Sequence, residues 1–263
     1  MRVALLDADY IPFITCYNKK DEVEKDIHKI LKQTDSYITN LLKEVDATHY
    51  IGALTIGKCF RYSLNLDYKA NRKDFIPMKY SKAVKEYLKD KWGFISHPDL
   101  EADDIVNICN KSTWFIGEDS IEAKSFIISP DKDLLYLEGV NYNPNRKEWI
   151  TVDSIVADYR FWISMIIGDT ADNIKGIPGI GIKGSEKILN EDKDYTGDYR
   201  DRVFNAYLKY LGQDLGIDEF YKNYKCLKIV DNWESFKVPD PVRFEIDKSE
   251  SKKENNTKEE VKE

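Results

Sequence analysis

The sequence predicts an α/β fold: a mainly parallel central sheet flanked by helices. Short apolar runs, "VALLD" (3–7), "HYIGALT" (49–55) and "SFIISPDKD" (125–133), have the length and the β-branched or aromatic content of buried strands. A helical pattern separates the first two, with Ile27, Ile30, Leu31, Ile38, Leu41 and Leu42 recurring through residues 27–45. Strands alternating with helices give a parallel sheet, and ligands of such sheets bind beyond the carboxyl ends of the strands. Acids fall at those ends: Asp7 after the first run, Asp131 and Asp133 after the third.

Each element has its own signal. "MRVALLDADY" reads as a buried strand running into polar chemistry rather than as a cleavable leader. "HPDLEADDIVNICNKS" (97–112) opens a helix with a proline, a capping aspartate and first-turn acids, then turns Ile105, Val106 and Ile108 inward. "YRFWISMIIG" (159–168) is an apolar helix that runs into "GDTADNIKGIPGIGIKG" (168–184), whose glycines break helices, before "GSEKILN" (184–190) resumes one. Residues 199–229 read as helical and packed through Phe204, Tyr207, Leu208, Leu211, Phe220, Leu227 and Ile229. Residues 248–263 carry one apolar side chain among alternating charges and read as a disordered tail. The expected division is a core over 1–158, a helical region over 159–247 and the tail.

No apolar run approaches the ~20 residues that a bilayer span needs. Four cysteines without a close pair and three scattered histidines suggest neither a disulfide framework nor a zinc site, which points to a reducing, cytoplasmic setting. The formal charge is −7, but it is unevenly spread. Residues 57–92 carry ten Lys or Arg against four acids, with Tyr62, Tyr68, Tyr80 and Tyr87 interleaved, as a single-strand nucleic-acid channel requires.

Asp7, Glu101, Asp103, Asp104, Asp131, Asp133, Asp169 and Asp172 come from four segments that the fold places at one rim of the sheet. Carboxylates crowded in this way repel unless cations neutralise them, and without these eight the formal charge would be +1 instead of −7. Oxygen ligands without His or Cys select Mg²⁺ or Mn²⁺ over zinc, and two such ions about 4 Å apart are the usual device for in-line displacement at phosphate.

"LLDAD", "LEADDIV", "SPDKDLLYL" and "GDTADNIKGIPGIGIKGSEKIL", in this order, resemble the 5′ nuclease or flap endonuclease family, which includes bacteriophage 5′–3′ exonucleases, phage ribonuclease H and the 5′ nuclease domain of bacterial DNA polymerase I. The resemblance covers residues 1–235 and implies a PIN-like 5′ nuclease fold with a helical gateway. It implies that Asp7, Glu101 and Asp103 surround one metal, and that Asp131, Asp133, Asp169 and Asp172 serve the other, with Asp104 close by. "YKANR" (68–72) is similar to the gateway motif, in which Lys69 and Arg72 would approach the scissile phosphate, Tyr68 would stack on a base and Lys73 would follow the backbone. Residues 174–189 would form a helix-three-turn-helix that grips duplex DNA through Gly176, Gly179, Gly181, Lys183 and Gly184, with K⁺ at its carbonyls.

The implied protein is a monomeric, Mg²⁺-dependent, structure-selective 5′ nuclease acting on flaps, nicked duplexes or RNA–DNA hybrids. A single-strand binding protein is a partner by resemblance, and the host cytoplasm is the setting if a phage encodes the chain. One departure stands out: the family's metal-linked acid after the second strand is missing, because no acid occurs from Ala47 to Leu66. Water, Asp9 or Asp104 would compensate, or the chain is a DNA-junction binding protein with weak or no cleavage. A PIN-type RNA-cleaving domain shares the acidic sheet edge but has no need of the glycine hairpin.

Overall fold

The computed structural model describes residues 1–16, 26–72, 78–118, 120–190 and 199–245. The expected tail at 248–263 lies outside them. β1 (Arg2–Asp7) pairs in parallel with both β2 (His49–Ala53) and β4 (Ile121–Ile128), and β4 pairs in parallel with β5 (Gly139–Asn143). Antiparallel strands finish the sheet: β6 (Glu148–Val152) on β5, β9 (Val242–Arg243) on β2 and β3 (Trp114–Ile116) on β4. The order is β6-β5-β4-β1-β2-β9, with β3 branching from β4. Parallel neighbours need crossovers, and helices supply them. α1 (Ile11–Cys16) and α2 (Ile27–Glu44) lead to β2, whereas α3 (Arg61–Leu64), α4 (Ser81–Trp92) and α5 (Ala102–Asn110) lead to the β3–β4 hairpin.

Strand alternation divides the core. Ala4 and Leu6 pack with Ile30, Ile38, Leu42, Val84 and Leu88 of α2 and α4, while Val3 and Leu5 pack with Ile105 and Cys109 of α5. A half-buried acid ties the first helical layer together. Asp35 of α2 accepts from the Tyr87 hydroxyl at 2.7 Å, Lys91 Nζ at 2.6 Å and Trp92 Nε1 at 2.8 Å. Part of the basic stretch is therefore internal scaffolding.

α6 (Ser154–Ile167), α7 (Ile182–Leu189), α8 (Tyr199–Leu211) and α9 (Gln213–Leu227) enclose a third core of Trp162, Met165, Ile166, Val203, Tyr207 and Phe220. Between α6 and α7 the short strands β7 (Gly168–Asp169) and β8 (Ile174–Lys175) pair antiparallel. The chain crosses itself here, and a Cβ on Gly176 would lie 2.2 Å from the Ile166 carbonyl oxygen. Gly176→Ala is expected to cost more than about 2 kcal/mol, read by urea denaturation, because neither backbone can yield.

The expected helical region ran to residue 247, but helix ends at Leu227. Residues 228–245 return across the α/β core: Ile229, Val230, Trp233, Phe236 and Val238 pack on the α5 side, and Trp114 Nε1 donates to the Pro239 carbonyl at 3.3 Å. Pro239 and Pro241 exclude a helix there and favour the extended strap that ends in β9. Among the described residues no helix is long and apolar enough to cross a membrane. Among the described residues Cys59, Cys109 and Cys226 are buried free thiols.

Candidate active site

Parallel register sets Asp7 beside Ala53 and Leu6 beside Ile128, so three strands end at one level. The acids begin there. Ser129, fully buried after β4, donates to Asp7 Oδ2 at 2.9 Å and accepts from the Asp131 N–H at 3.0 Å. Asp131 Oδ1 in turn accepts from the Asp133 N–H at 2.9 Å. Glu101 is the N-cap of α5 in a reciprocal capping box with Asp104, which directs Glu101 and Asp103 to the same rim. Ser129 stands inside the quoted "SPDKD" run yet was not among the expected site residues.

The gateway motif is stapled onto the second acidic turn. Lys69 N–H donates to the Asp172 carbonyl at 2.9 Å, Asn71 Nδ2 to the Thr170 carbonyl at 2.9 Å and Asn173 Nδ2 to the Asp67 carbonyl at 2.8 Å. These bonds hold Lys69 at φ +53° and Asn173 at φ +56°, left-handed conformations that cluster at functional sites. Lys69 Nζ then sits on Glu101 Oε1 and 3.6 Å from Asp172 Oδ2, while Arg72 Nη2 donates to Asp172 Oδ1 at 2.8 Å. Burial alone would lower the Lys69 pKa, but Glu101 and Asp172 outweigh it and hold the ammonium charged.

Two expectations change. Tyr68 is not free to stack on a base: it is 2% exposed, and its hydroxyl lies 2.7 Å from Glu101 Oε2 and 2.9 Å from Asp172 Oδ2, donating to one at a time. A phenol held between two carboxylates is a positioning group. Asp104 is the second, because Arg61 takes both of its oxygens, at 2.6 Å and 2.7 Å, and the N–H groups of Glu101 and Val230 each add a bond at 3.1 Å. Its acceptor sites are filled by protein. Arg61 is itself 3% exposed and also donates to the carbonyls of Cys226 and Lys228, both at 2.8 Å. The interleaved tyrosines do not form an open ladder either, since Tyr87 is tied to Asp35 and Tyr80 packs on the first core. Lys73 lies outside the described residues.

Glu101, Asp103, Asp133, Asp169 and Asp172 line a cavity of about 370 Å³ together with Tyr68 and Arg61. Asp7 and Asp131 are outside that lining, although their charges reach Asp103. Burial, and then the charges of Asp7, Glu101 and Asp131, push Asp103 well above the usual carboxylate range. Burial and Asp9 raise Asp7 to about 7. Asp133 keeps an exposed edge, but lost hydration and then Asp131 raise it to about 6. Burial also raises Asp172, in spite of Lys69, Tyr68 and Arg72.

The folded chain therefore holds protons on Asp7 and Asp133 that the unfolded chain has released, between about pH 4 and about pH 7. Metal-free protein is expected to lose stability as pH rises through that window and to level off above it. Thermal melts in chelator from about pH 5 to about pH 8 check this, and a melting temperature that climbs over that range contradicts it.

The donor chemistry fits a hard divalent cation: every candidate ligand is an oxygen, and a cationic side chain, Lys69, already bridges Glu101 and Asp172. Among the described residues no three His, Cys, Asp or Glu side chains close on a single point as a ready cage.

The glycine stretch turns at two solvent-exposed glycines. Gly179, at φ +77°, and Gly181 are exposed, with open space where a Cβ would be. Gly181 is the N-cap of α7 and, having no side chain, makes no capping bond, and Lys183 lies exposed in the first turn. Gly176 is accounted for by the chain crossing, and Gly184 by Ile180, whose Cγ2 would lie 3.0 Å from a Cβ.

No protein-family model matches the chain. Its curated relatives include a protein named 5′–3′ exonuclease from Mycoplasmopsis pulmonis, 28% identical over 208 residues, which are 72% of this chain and 66% of the relative. Another of that name, from Buchnera aphidicola, is 30% identical over 146 residues, covering 51% of this chain and 49% of the relative. DNA polymerase I of Bacillus subtilis is 31% identical over 173 residues, 59% of this chain but 19% of the polymerase. The chain thus spans less than two thirds of these relatives. Among solved structures, the T5 D15 protein co-crystallized with metal ions superposes with a TM-score of 0.62 at 21% identity, over 88% of this chain and 89% of that one. The T5 5′-exonuclease with bound zinc ions superposes with a TM-score of 0.54 at 20% identity, over 87% and 100%. The fold is shared.

Proposed function

We propose, for a homologue of the 5′–3′ exonucleases and of DNA polymerase I built on the fold of the T5 5′-exonuclease, a metal-dependent, structure-selective 5′ nuclease that hydrolyses phosphodiesters at 5′ flaps, nicked duplexes or RNA primers. One observation carries this reading: a backbone hydrogen bond holds Lys69 on Asp172, and the side chains of Lys69 and Arg72 meet Glu101 and Asp172 at the end of the parallel sheet. Phosphate-binding cations and metal-binding oxygens meet at one point.

In this reading Asp7, Glu101 and Asp103 hold one Mg²⁺, and Asp131, Asp133, Asp169 and Asp172 hold a second, with Mn²⁺ able to replace either. Bound there, such ions lower the pKa of an attacking water and stabilise the leaving oxygen. Lys69 and Arg72 shift from the carboxylates to the scissile phosphate and offset the charge that develops on it. Tyr68 holds Glu101 and Asp172 in place by donating to one or the other. Asp104 is reassigned from the metal set to a buried partner of Arg61. The backbone N–H groups around Gly179 and Gly181, with Lys183, grip duplex phosphates without reading sequence, and K⁺ at the carbonyls of that turn would reinforce the grip. The T5 D15 flap endonuclease has been solved in complex with DNA and metal ions, which supports the same assignment here. The chain would act as a monomer, on RNA–DNA hybrids as well as DNA, with a single-strand binding protein as a partner.

Nicked duplex labelled at its 3′ end tests the reading: shortening from the 5′ side with Mg²⁺ or Mn²⁺ and none in chelator supports it, and no shortening with either metal sinks it. Gly179→Asp is expected to weaken binding and cleavage together, by about tenfold or more, because it adds like charge to the phosphate grip and strains a positive φ. Cleavage unchanged by Gly179→Asp favours a compact RNA-cleaving domain instead.

A further inference from the structure

The segment after β2 carries no acid, and the structure shows what lies over it. Parallel pairing ends with Asp7 beside Ala53, and Ala8 N–H donates to the Ala53 carbonyl at 2.9 Å. One residue further on, Asp9 reaches across the strand gap, and its Oδ1 accepts from the Thr55 N–H at 3.1 Å. Thr55 Oγ1 in turn accepts from the Ala102 N–H at 2.9 Å, so the same residue ties the end of β2 to the helix start that carries Glu101 and Asp103. Asp9 N–H also donates to Asp7 Oδ1 at 3.1 Å. The carboxylate of Asp9 thus lies against Thr55 just past the end of β2, and Thr55 links it to the start of α5. Asp104, the other neighbour able to compensate, is consumed by Arg61.

Asp9 has a partner of its own. Lys85 of α4 donates to Asp9 Oδ1 at 2.6 Å and to the Thr55 carbonyl at 3.1 Å. Among the described residues no hydrogen bond to Asp9 Oδ2 occurs, and the Asp9 side chain is 32% exposed against 28% for Lys85. This ion pair is half-buried and reachable by water.

We infer that Asp9 supplies the negative charge that the segment 47–66 lacks, as a positioning and charge-compensating residue for the cation held by Asp7, Glu101 and Asp103, and that Lys85 competes with that cation for it. The inference rests on the metal-dependent reading above and goes further by assigning opposite roles to two side chains in direct contact. A pair that served only to pin α4 to the sheet would act with one sign: losing either member would loosen the fold and leave cation affinity alone.

Mn²⁺ binding to the full chain, followed by electron paramagnetic resonance, separates these cases without reference to cleavage. Asp9→Asn is expected to weaken Mn²⁺ binding by about tenfold, as loss of an outer partner at a metal site does. Lys85→Met is expected to tighten it by about threefold, because a competing positive charge is gone. In the double variant Lys85→Met should add nothing to Asp9→Asn, since the lysine acts through the aspartate. Affinity unchanged in both single variants, with similar falls in melting temperature, overturns the inference and leaves a structural pin. If Asp9→Asn does not fold, Lys85→Met decides alone: equal or weaker Mn²⁺ binding overturns the inference. Failure of the unaltered chain to bind Mn²⁺ overturns the whole metal reading, a result distinct from binding that ignores these two residues.

Discussion

Arg61→Met is expected to lower the stability of the chain by about 3–5 kcal/mol, measured as the loss of unfolding free energy in urea. The magnitude follows from what is left behind. Asp104 is fully buried, and both of its oxygens face the Arg61 guanidinium at 2.6 Å and 2.7 Å. Methionine fills much of the same volume but gives no charge, so Asp104 must either stay ionised without a partner or take up a proton at a cost. The same guanidinium donates to the carbonyls of Cys226 and Lys228, where α9 passes into the strap, and lies 3.4 Å from Glu101 Oε2. Losing it therefore loosens the seam between the helical region and the core along with the carboxylate that Tyr68 and Lys69 hold. Lysine would not rescue it, because one ammonium cannot serve two carboxylate oxygens and two diverging carbonyls at once. Joint replacement with Asp104→Leu is expected to recover part of the loss, since an apolar pair leaves no stranded charge. A cost below about 1 kcal/mol for Arg61→Met would show that the pair is not the keystone described here.

Asp103→Asn is expected to act with opposite signs on stability and activity. Burial and the charges of Asp7, Glu101 and Asp131 oppose ionisation of Asp103, so a neutral amide of the same shape relieves repulsion in the metal-free protein. Its melting temperature in chelator should rise. Cleavage should fall by more than about a hundredfold, because even the outer partners at metal sites commonly cost ten- to a hundredfold. Active sites store such strain at the expense of stability. A variant that loses activity and also melts lower would assign Asp103 to the scaffold instead.

Three of the four acidic clusters were legible as a rim because each follows a strand of the parallel sheet or opens a helix beside it, whereas Asp169 and Asp172 stand on the separate β7–β8 hairpin. What each acid does there was not legible. Asp103 and Asp104 are adjacent in sequence, but on a helix they point about 100° apart, so one faces the cavity while the other faces Arg61, 43 residues away. Nothing in "RYSLNLDYKANR" distinguishes an arginine that meets phosphate from one that meets a buried aspartate. Burial separates them: the Arg72 side chain is 52% exposed and that of Arg61 3%. Tyr68 read as a stacking platform because aromatic rings interleave with bases around it, whereas its own surroundings, Cys59, Ile174 and Cys226, bury the ring and leave the hydroxyl to the carboxylates. The hairpin of β5 and β6 and the returning strap escaped notice because their alternation is masked by Asn141, Asn143, Pro239 and Pro241, whose places depend on partners distant in sequence. The glycine stretch reads as a junction, and the structure separates its glycines: Gly168 and Gly176 serve the chain crossing, and Gly179 and Gly181 stay open to solvent.

Cleavage of a 5′-flap duplex labelled at the 5′ end, with product lengths mapped in Mg²⁺ and in Mn²⁺, tests the central claim most directly. The account predicts labelled fragments that end at or within a nucleotide or so of the flap junction, absent in chelator and absent for Asp172→Asn. Tight binding of the flap with no product in either metal, equally tight for Asp172→Asn, would contradict it and leave a junction-binding protein on a nuclease fold.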